Sequence, residues 1–354
     1  MIDNVFTSLR LQNFRSYEDF AVELSPTVNI VVGPNASGKT NLLESLLLLC
    51  GVGSYRAAIA DVIRDTSDWA RIDGNNLDGN RVLKIQSIGE KIEKTYELNE
   101  KIKKRLSFND MLPVVLFEPD HLRLLTGSPD LRRDFFDSIL REINPEFSMI
   151  EKNYKRVLSQ RNRLLKQDKT TINKQIFMWN IRLAELAGKI VTYRLLLIKD
   201  INKKLSNIYS KIAGSNSKVL IKYDSKIDIK NYESGVLKKL ENSLEKDILR
   251  GYTSYGPHRE DFLFYMNDRM ADTVASRGET RTLVLSLKII ELEKLQNIRG
   301  RKPLILLDDV FSELDGSRRQ TLTHYLNEYQ TVITTTDADV VMKGFAQSTN
   351  LISL

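Results

Sequence analysis

Two stretches of this chain carry residue types in an order suited to chemistry on phosphate. Gly33-Pro34-Asn35-Ala36-Ser37-Gly38-Lys39-Thr40 fits the pattern G-x-x-x-x-G-K-[ST]. In that pattern successive backbone N–H groups wrap phosphate oxygens, the lysine reaches the outer phosphates, and the hydroxyl faces a metal ion. Far along the chain, Pro303-Leu304-Ile305-Leu306-Leu307-Asp308-Asp309 is an apolar run that ends in two carboxylates. A strand tip carrying an acid holds Mg²⁺ together with the loop hydroxyl, which pairs Asp308 with Thr40. Asp309, one residue on, is placed to orient or deprotonate an attacking water. The chain is therefore expected to bind ATP or GTP, with Lys39 and Asp309 as catalytic candidates.

These residues need a strand on one side and a helix on the other. The apolar run Val28-Asn29-Ile30-Val31-Val32 leads into the loop, and Asn41-Leu42-Leu43-Glu44-Ser45-Leu46-Leu47 reads as the helix leading out. That helix start presents N–H groups and a positive dipole end to the phosphates, with Asn41 in its first turn. A third stretch, Ser276-Arg277-Gly278-Glu279-Thr280-Arg281-Thr282, also opens a helix. Ser276 and Glu279 have the spacing of a capping box, and a second phosphate-facing helix start is the other reading.

Composition narrows the class. With 42% hydrophobic and 28% charged residues the chain is an ordinary globular one, long enough at 354 residues for two domains. Met1-Ile2-Asp3-Asn4 lacks the basic and apolar segments of a secretory signal, and Leu46–Cys50 is too short to span a bilayer. One cysteine and three scattered histidines leave no internal disulfide and no zinc cluster of ordinary spacing. A cytoplasmic protein with no membrane partner is expected.

Charge is unevenly spread. Between Pro145 and Ile212 there are fifteen Lys and Arg against five Asp and Glu, a net +10 where the whole chain is +7. In the same segment Ile176, Trp179, Leu183, Leu186, Ile190, Tyr193, Leu197, Ile201, Leu205, Ile208 and Ile212 recur at steps of three and four. The spacing predicts a long amphipathic helix ending at Ala213-Gly214, paired with an earlier helix over about 150–166 through Gln167-Asp168-Lys169-Thr170. Its basic residues form either a solvated face or a surface for nucleic-acid backbone. Turn signals between 72 and 117 predict an antiparallel β region, and strands are expected at Val219–Tyr223, Phe262–Tyr265, Leu304–Leu307 and Thr331–Thr335.

With these motifs in this order, the chain resembles ABC-type ATPase heads of the SMC-like branch, in which a helical insertion splits the head. Asn13-Phe14-Arg15-Ser16-Tyr17 resembles the opening of that branch. Phe117-Glu118-Pro119-Asp120, Gly127-Ser128-Pro129, Leu131-Arg132-Arg133, Gln160-Arg161-Asn162, Gly256-Pro257-His258-Arg259-Glu260-Asp261, Leu306–Asp315 and Ile333–Asp337 are similar to stretches of the RecF family. The resemblance implies an α/β fold: a head made of residues 1–118 and 216–354, with a helical lobe of 119–215 that extends at most to 250. It implies that ATP bridges two copies, with Ser276 and Gly278 of one facing the γ-phosphate held by the other. It further implies Arg15 and Arg56 as nucleotide contacts, Asp315 at the dimer interface, and Thr335 or Thr336 in the switch region. Asp309 stands where most ABC ATPases carry Glu, which with the short arm implies slow turnover. The implied role is an ATP-dependent DNA clamp in repair and replication, acting with RecO and RecR to load RecA. Arg277 and Glu279 depart from the family's usual signature, and no Gln is assignable as a Q-loop. A transporter ATPase subunit would hold loop and signature closer together, and an ATPase-coupled nuclease would add an acidic catalytic domain. His258 fits either a buried core position or a site.

Overall fold

A computed structural model describes residues 5–354 apart from Tyr55, Leu77, Lys343, Gly344 and residues 346–348. Met1–Asn4, read above for a signal, lie outside the described residues, as does the side chain of Ser312. The chain divides into two compact units, one of Met1–His121 with Glu291–Leu354 and one of Leu122–Ile290.

In chain order the first unit opens with β1 (Phe6–Phe14), β2 (Tyr17–Glu23), β3 (Val28–Val32), α1 (Lys39–Cys50), β4 (Trp69–Asn76), β5 (Gly79–Ile88), β6 (Lys91–Leu98), β7 (Lys101–Lys103) and β8 (Val114–Phe117). The second unit holds α2 (Pro129–Ile143), α3 (Pro145–Leu164), α4 (Lys169–Ala213), β9 (Val219–Asp224), α5 (Tyr232–Asn242), α6 (Leu244–Arg250), β10 (Asp261–Met266), β11 (Arg269–Met270) and α7 (Ala271–Val274). The division then falls within α8 (Arg277–Arg299). The first unit resumes with β12 (Leu304–Asp308), α9 (Gly316–Leu326), β13 (Thr331–Thr335), α10 (Ala338–Met342) and β14 (Thr349–Ser353).

The first unit has two sheets. One is parallel, in the order β14-β3-β13-β12-β8; the other is antiparallel, in the order β2-β1-β4-β5-β6-β7. Helix α1 packs against β12 and β13 of the parallel sheet and against β4 and β5 of the antiparallel one. A helix covered on both sides is apolar nearly all round, and every residue from Leu42 to Cys50 is buried, with Glu44 and Ser45 as hydrogen-bonded exceptions. Its Leu-rich sequence is explained by that position, not by membrane contact. Among the described residues no helix is long and apolar enough to cross a membrane.

In the second unit the periodic run forms α4, 45 residues long. Asp168 caps it by accepting from the Thr171 N–H, and Gly214 closes it in the left-handed conformation at φ 64°. Trp179 and Tyr193 are only half-buried, while most of the remaining stripe is buried against α3 and its neighbours. The unit reaches to Ile290, beyond either end, 215 or 250, expected for the helical lobe. Packing accounts for the difference. β9 and β10 pair with each other, α4 packs on β9, and α2 packs on β10. The otherwise unpaired edge of β9 is satisfied by side chains of α4: Asn202 exchanges two 2.8 Å hydrogen bonds with the Ile221 backbone, and Ser206 two with Val219. Strands completed in this way need no sheet from the head.

Candidate nucleotide site

The phosphate loop joins β3 to α1, and two of its residues hold left-handed backbone, Ala36 at φ 67° and Gly38 at φ 104°. A Cβ on Gly38 would stand 2.9 Å from Tyr17 Oη and 3.0 Å from Ser16 Oγ, so both conformation and space demand glycine there. Tyr17 Oη donates to the Gly38 carbonyl at 3.1 Å, and burial pushes its phenol up to about 12. Gly38 starts α1 with no side-chain cap, which leaves the first N–H groups to a ligand. Lys39 is buried, and its Nζ donates at 2.7 Å to the carbonyls of Gly33 and Pro34. Ser37 Oγ is buried without a hydrogen-bond partner among the described residues. A buried hydroxyl left so is destabilising unless something occupies the loop, and phosphate oxygens have the right chemistry.

Across the sheet, Thr40 Oγ1 donates to Asp308 Oδ1 at 3.0 Å, although 268 residues separate them. The pairing expected from the two motifs is thus made. β13 lies between β3 and β12, and Thr334 on it donates to the same Asp308 oxygen at 2.8 Å. Asp309 follows at φ 52°, its N–H shared between the Thr334 carbonyl at 3.2 Å and Thr334 Oγ1 at 3.0 Å. Thr40 and Asp308 offer hard oxygen donors side by side, a set that suits a small divalent cation bound mainly through phosphates and water.

The remaining candidates are placed less simply. Arg15 sits in the turn between β1 and β2 and forks onto Glu44 of α1 with two 2.9 Å bonds, while Nη1 donates to the Asp61 carbonyl at 2.8 Å. Ser54 Oγ donates to the same Glu44 carboxylate at 2.5 Å. Glu44, hidden inside an apolar run, escapes a reading for phosphate chemistry; its position on the loop's own helix is the only signal. Arg56 is exposed. Asn41 donates to Ser16 Oγ at 3.0 Å. Thr335 Oγ1 caps the turn at Asp337, and Asp315 caps α9 through the Arg318 N–H at 3.0 Å.

Ser276 and Gly278 belong to the second unit. The capping box is formed: the Ser276 N–H donates to Glu279 Oε2 at 2.8 Å, and the Glu279 N–H to Ser276 Oγ at 3.3 Å. In the same unit His258 is half-buried at the edge of a cavity and hydrogen-bonded on both ring nitrogens. Its Nε2 is 3.2 Å from the Thr253 carbonyl, which only accepts, so Nε2 carries the proton and Nδ1 accepts from Tyr154 Oη at 2.6 Å. Burial foremost, with Arg259, Arg133 and Arg194 nearby, lowers the His258 imidazole to about 4. Two of the basic residues counted above are internal. Arg161 pairs with Asp247 and Arg194 with Asp137, all four buried. The others of the fifteen are exposed.

A parallel sheet with a phosphate loop after β3 and an acid at the tip of β12, beside an antiparallel sheet, defines an ATPase head of the ABC type. The family model for the RecF/RecN/SMC N terminal domain matches residues 5–352, and the chain belongs to that family, in its RecF branch. It is 34% identical over 346 residues to the DNA replication and repair protein RecF of Bacillus subtilis (strain 168), covering 94% of this chain and 93% of that one. Against RecF of Clostridium perfringens (strain 13 / Type A) it is 36% identical over 352 residues, covering 93% and 92%. A solved structure of the recombination mediator protein RecF-ATPrS in the RecFOR pathway superposes with a TM-score of 0.82 at 28% identity, covering 95% of this chain and 93% of that one. The Smc head domain of Pyrococcus furiosus, at 15% identity and a TM-score of 0.51 over 96% and 91%, shares the fold.

Proposed function

We propose that the chain is an ATP-dependent DNA clamp of the RecF type, acting in DNA repair and replication. The observation that carries the reading is the Thr40–Asp308 contact beside a phosphate loop with an orphaned hydroxyl. When bound, Mg²⁺ would neutralise phosphate charge and be held by Thr40 and Asp308. Lys39 would leave its two loop carbonyls for the β- and γ-phosphates, and Asp309 would orient the water. Arg15 and Arg56 are offered as further nucleotide contacts, Arg15 by giving up part of its hold on Glu44. Ser276 and Gly278 of a second copy would complete the site, so that ATP favours a dimer. Glu279 is engaged in the capping box, which supports a role for that acid in shaping the helix start.

The exposed lysines and arginines of α3 and α4 support contact with DNA backbone, salt-sensitive and largely independent of sequence. Slow hydrolysis would time release, and the RecFOR relationship of its relatives makes RecO and RecR the proposed partners, with RecA loading as the outcome. The test is binding to single-stranded, duplex and gapped DNA with ATP, ADP and no nucleotide across a salt series. Tighter binding with ATP and about a 10³-fold loss between 50 and 200 mM salt are expected for some six phosphate contacts. Binding indifferent to both would overturn the clamp.

A further inference from the structure

Thr334 touches both acids of the site, and although it lies in the Ile333–Asp337 stretch, no role in the site is assigned to it by the sequence. It is fully buried on β13, opposite Asp308 of β12 on one side and Val31 of β3 on the other. Its hydroxyl has a single proton to give. Asp308 Oδ1 at 2.8 Å is a charged acceptor, and the Leu307 carbonyl is distant at 3.4 Å, so the proton goes to the carboxylate. The oxygen then accepts from the Asp309 N–H at 3.0 Å.

We propose that Thr334 is a positioning residue for ATP hydrolysis, fixing the Asp308 carboxylate and the backbone of Asp309 through one hydroxyl. For Asp308, two hydroxyls converge on Oδ1, those of Thr40 and Thr334, and this restricts how the carboxylate turns. For Asp309, φ 52° is a conformation that a non-glycine residue keeps only where its surroundings hold it. Both acceptors of its N–H come from Thr334. In a regular strand neighbouring side chains project to opposite faces, and the left-handed turn at Asp309 breaks that alternation immediately after Asp308. A hydroxyl on the strand between β3 and β12 therefore sets both the metal-side acid and the water-side acid relative to the phosphate loop. Valine at this position would keep the shape, remove the bond to Asp308, and leave the Asp309 N–H only the longer contact.

The inference rests on the ATPase reading, and the experiment separates the two. In the full chain, Thr334→Val, Thr334→Ser and Thr334→Cys are compared with the natural protein for kcat and KM of ATP hydrolysis. Binding of a non-hydrolysable ATP analogue is titrated with and without Mg²⁺. Thr334→Val is expected to lower kcat about 30-fold with KM changed less than about threefold, the mark of an interaction used in the transition state. The tightening of analogue binding by Mg²⁺ should shrink about tenfold as Asp308 loses a partner. Thr334→Ser should restore both measures to within about threefold, because the hydroxyl returns. If the valine variant does not fold, the cysteine variant carries the test: close to serine in size but a weak donor, it should fall between natural and impaired values. Unaltered kcat and Mg²⁺ response in the valine or cysteine variant, or a serine variant as impaired as valine, would overturn the proposal. A natural protein that binds no analogue overturns the ATPase reading itself.

Discussion

The two units each bury a cluster of polar groups, and the clusters differ in how completely they are closed. In the second unit Arg194 forks onto Asp137 at 2.9 and 2.7 Å and also donates to the Pro257 carbonyl and Tyr223 Oη. Glu260 beside it accepts from Tyr223, Ser225 and Tyr232. In the first unit, among the described residues, Lys39 Nζ is satisfied by carbonyls of its own loop, Ser37 Oγ has no partner, and Ala36, Gly38 and Asp309 hold left-handed backbone. The Arg194 carboxylate fork is satisfied within its own unit although Asp137, Arg194 and His258 line a cavity, whereas the phosphate loop combines an unpartnered hydroxyl with left-handed backbone.

The comparison can be broken most directly by a matched pair of variants. Lys39→Ala should reduce ATP hydrolysis by more than about 100-fold while leaving the melting temperature near that of the natural protein, since only loop carbonyls lose a partner. Asp137→Ala strands the buried Arg194 charge and should cost about 3–5 kcal/mol of stability in denaturant titration. Stability falling equally in both would show that the two clusters are the same kind of object.

A pH series sharpens the closed side. The His258 imidazole is lowered to about 4 in the folded state, so between about pH 6.5 and 4 the unfolded chain binds the extra proton. Stability must then fall as pH falls through that window, by up to about 3 kcal/mol. His258→Asn, which keeps a polar side chain but cannot titrate, should flatten that part of the curve relative to the natural protein, read by urea denaturation at each pH. The smallest effect is expected at the rim of the second unit. Asn202→Ala removes the two bonds to Ile221 and should cost about 1–2 kcal/mol by denaturant titration, with faster amide exchange confined to β9.

How much of this was readable from the chain depends on range. The phosphate loop is contiguous, and the Asp308 strand has an apolar run to announce it, so both could be read locally and matched by their chemistry. The α4 stripe follows from periodicity, because one helix face must be buried along its whole length. The extent of the second unit could not be read in the same way. Val219–Tyr223 and Phe262–Tyr265 alternate like strands of either unit, and their pairing with each other and packing on α4 and α2 decide. β14 escaped because Thr349-Asn350-Leu351-Ile352-Ser353 is a largely polar edge strand with one buried side chain. Arg161 and Arg194 were counted with the basic face because Asp247 and Asp137, which neutralise them, lie 86 and 57 residues away. Thr334 lies in a family-like stretch, but a run of threonines at a strand end does not say which of them reaches the acids.

Helix α1 is walled in by two sheets, whereas the turn between α3 and α4 at Gln167-Asp168-Lys169 is exposed. That contrast determines where the molecule can grow. An added residue in α1 would rotate every following side chain by about 100° and bring Glu44 and Leu46 out of register with both walls. Residues added in matched turns at the hairpin end would displace nothing already packed, and would extend its reach by about 1.5 Å for each residue placed in each helix. Heptads added there in pairs would let the α4 stripe continue as a coiled coil. The hairpin end can thus gain length without a change in α1 or the loop that precedes it.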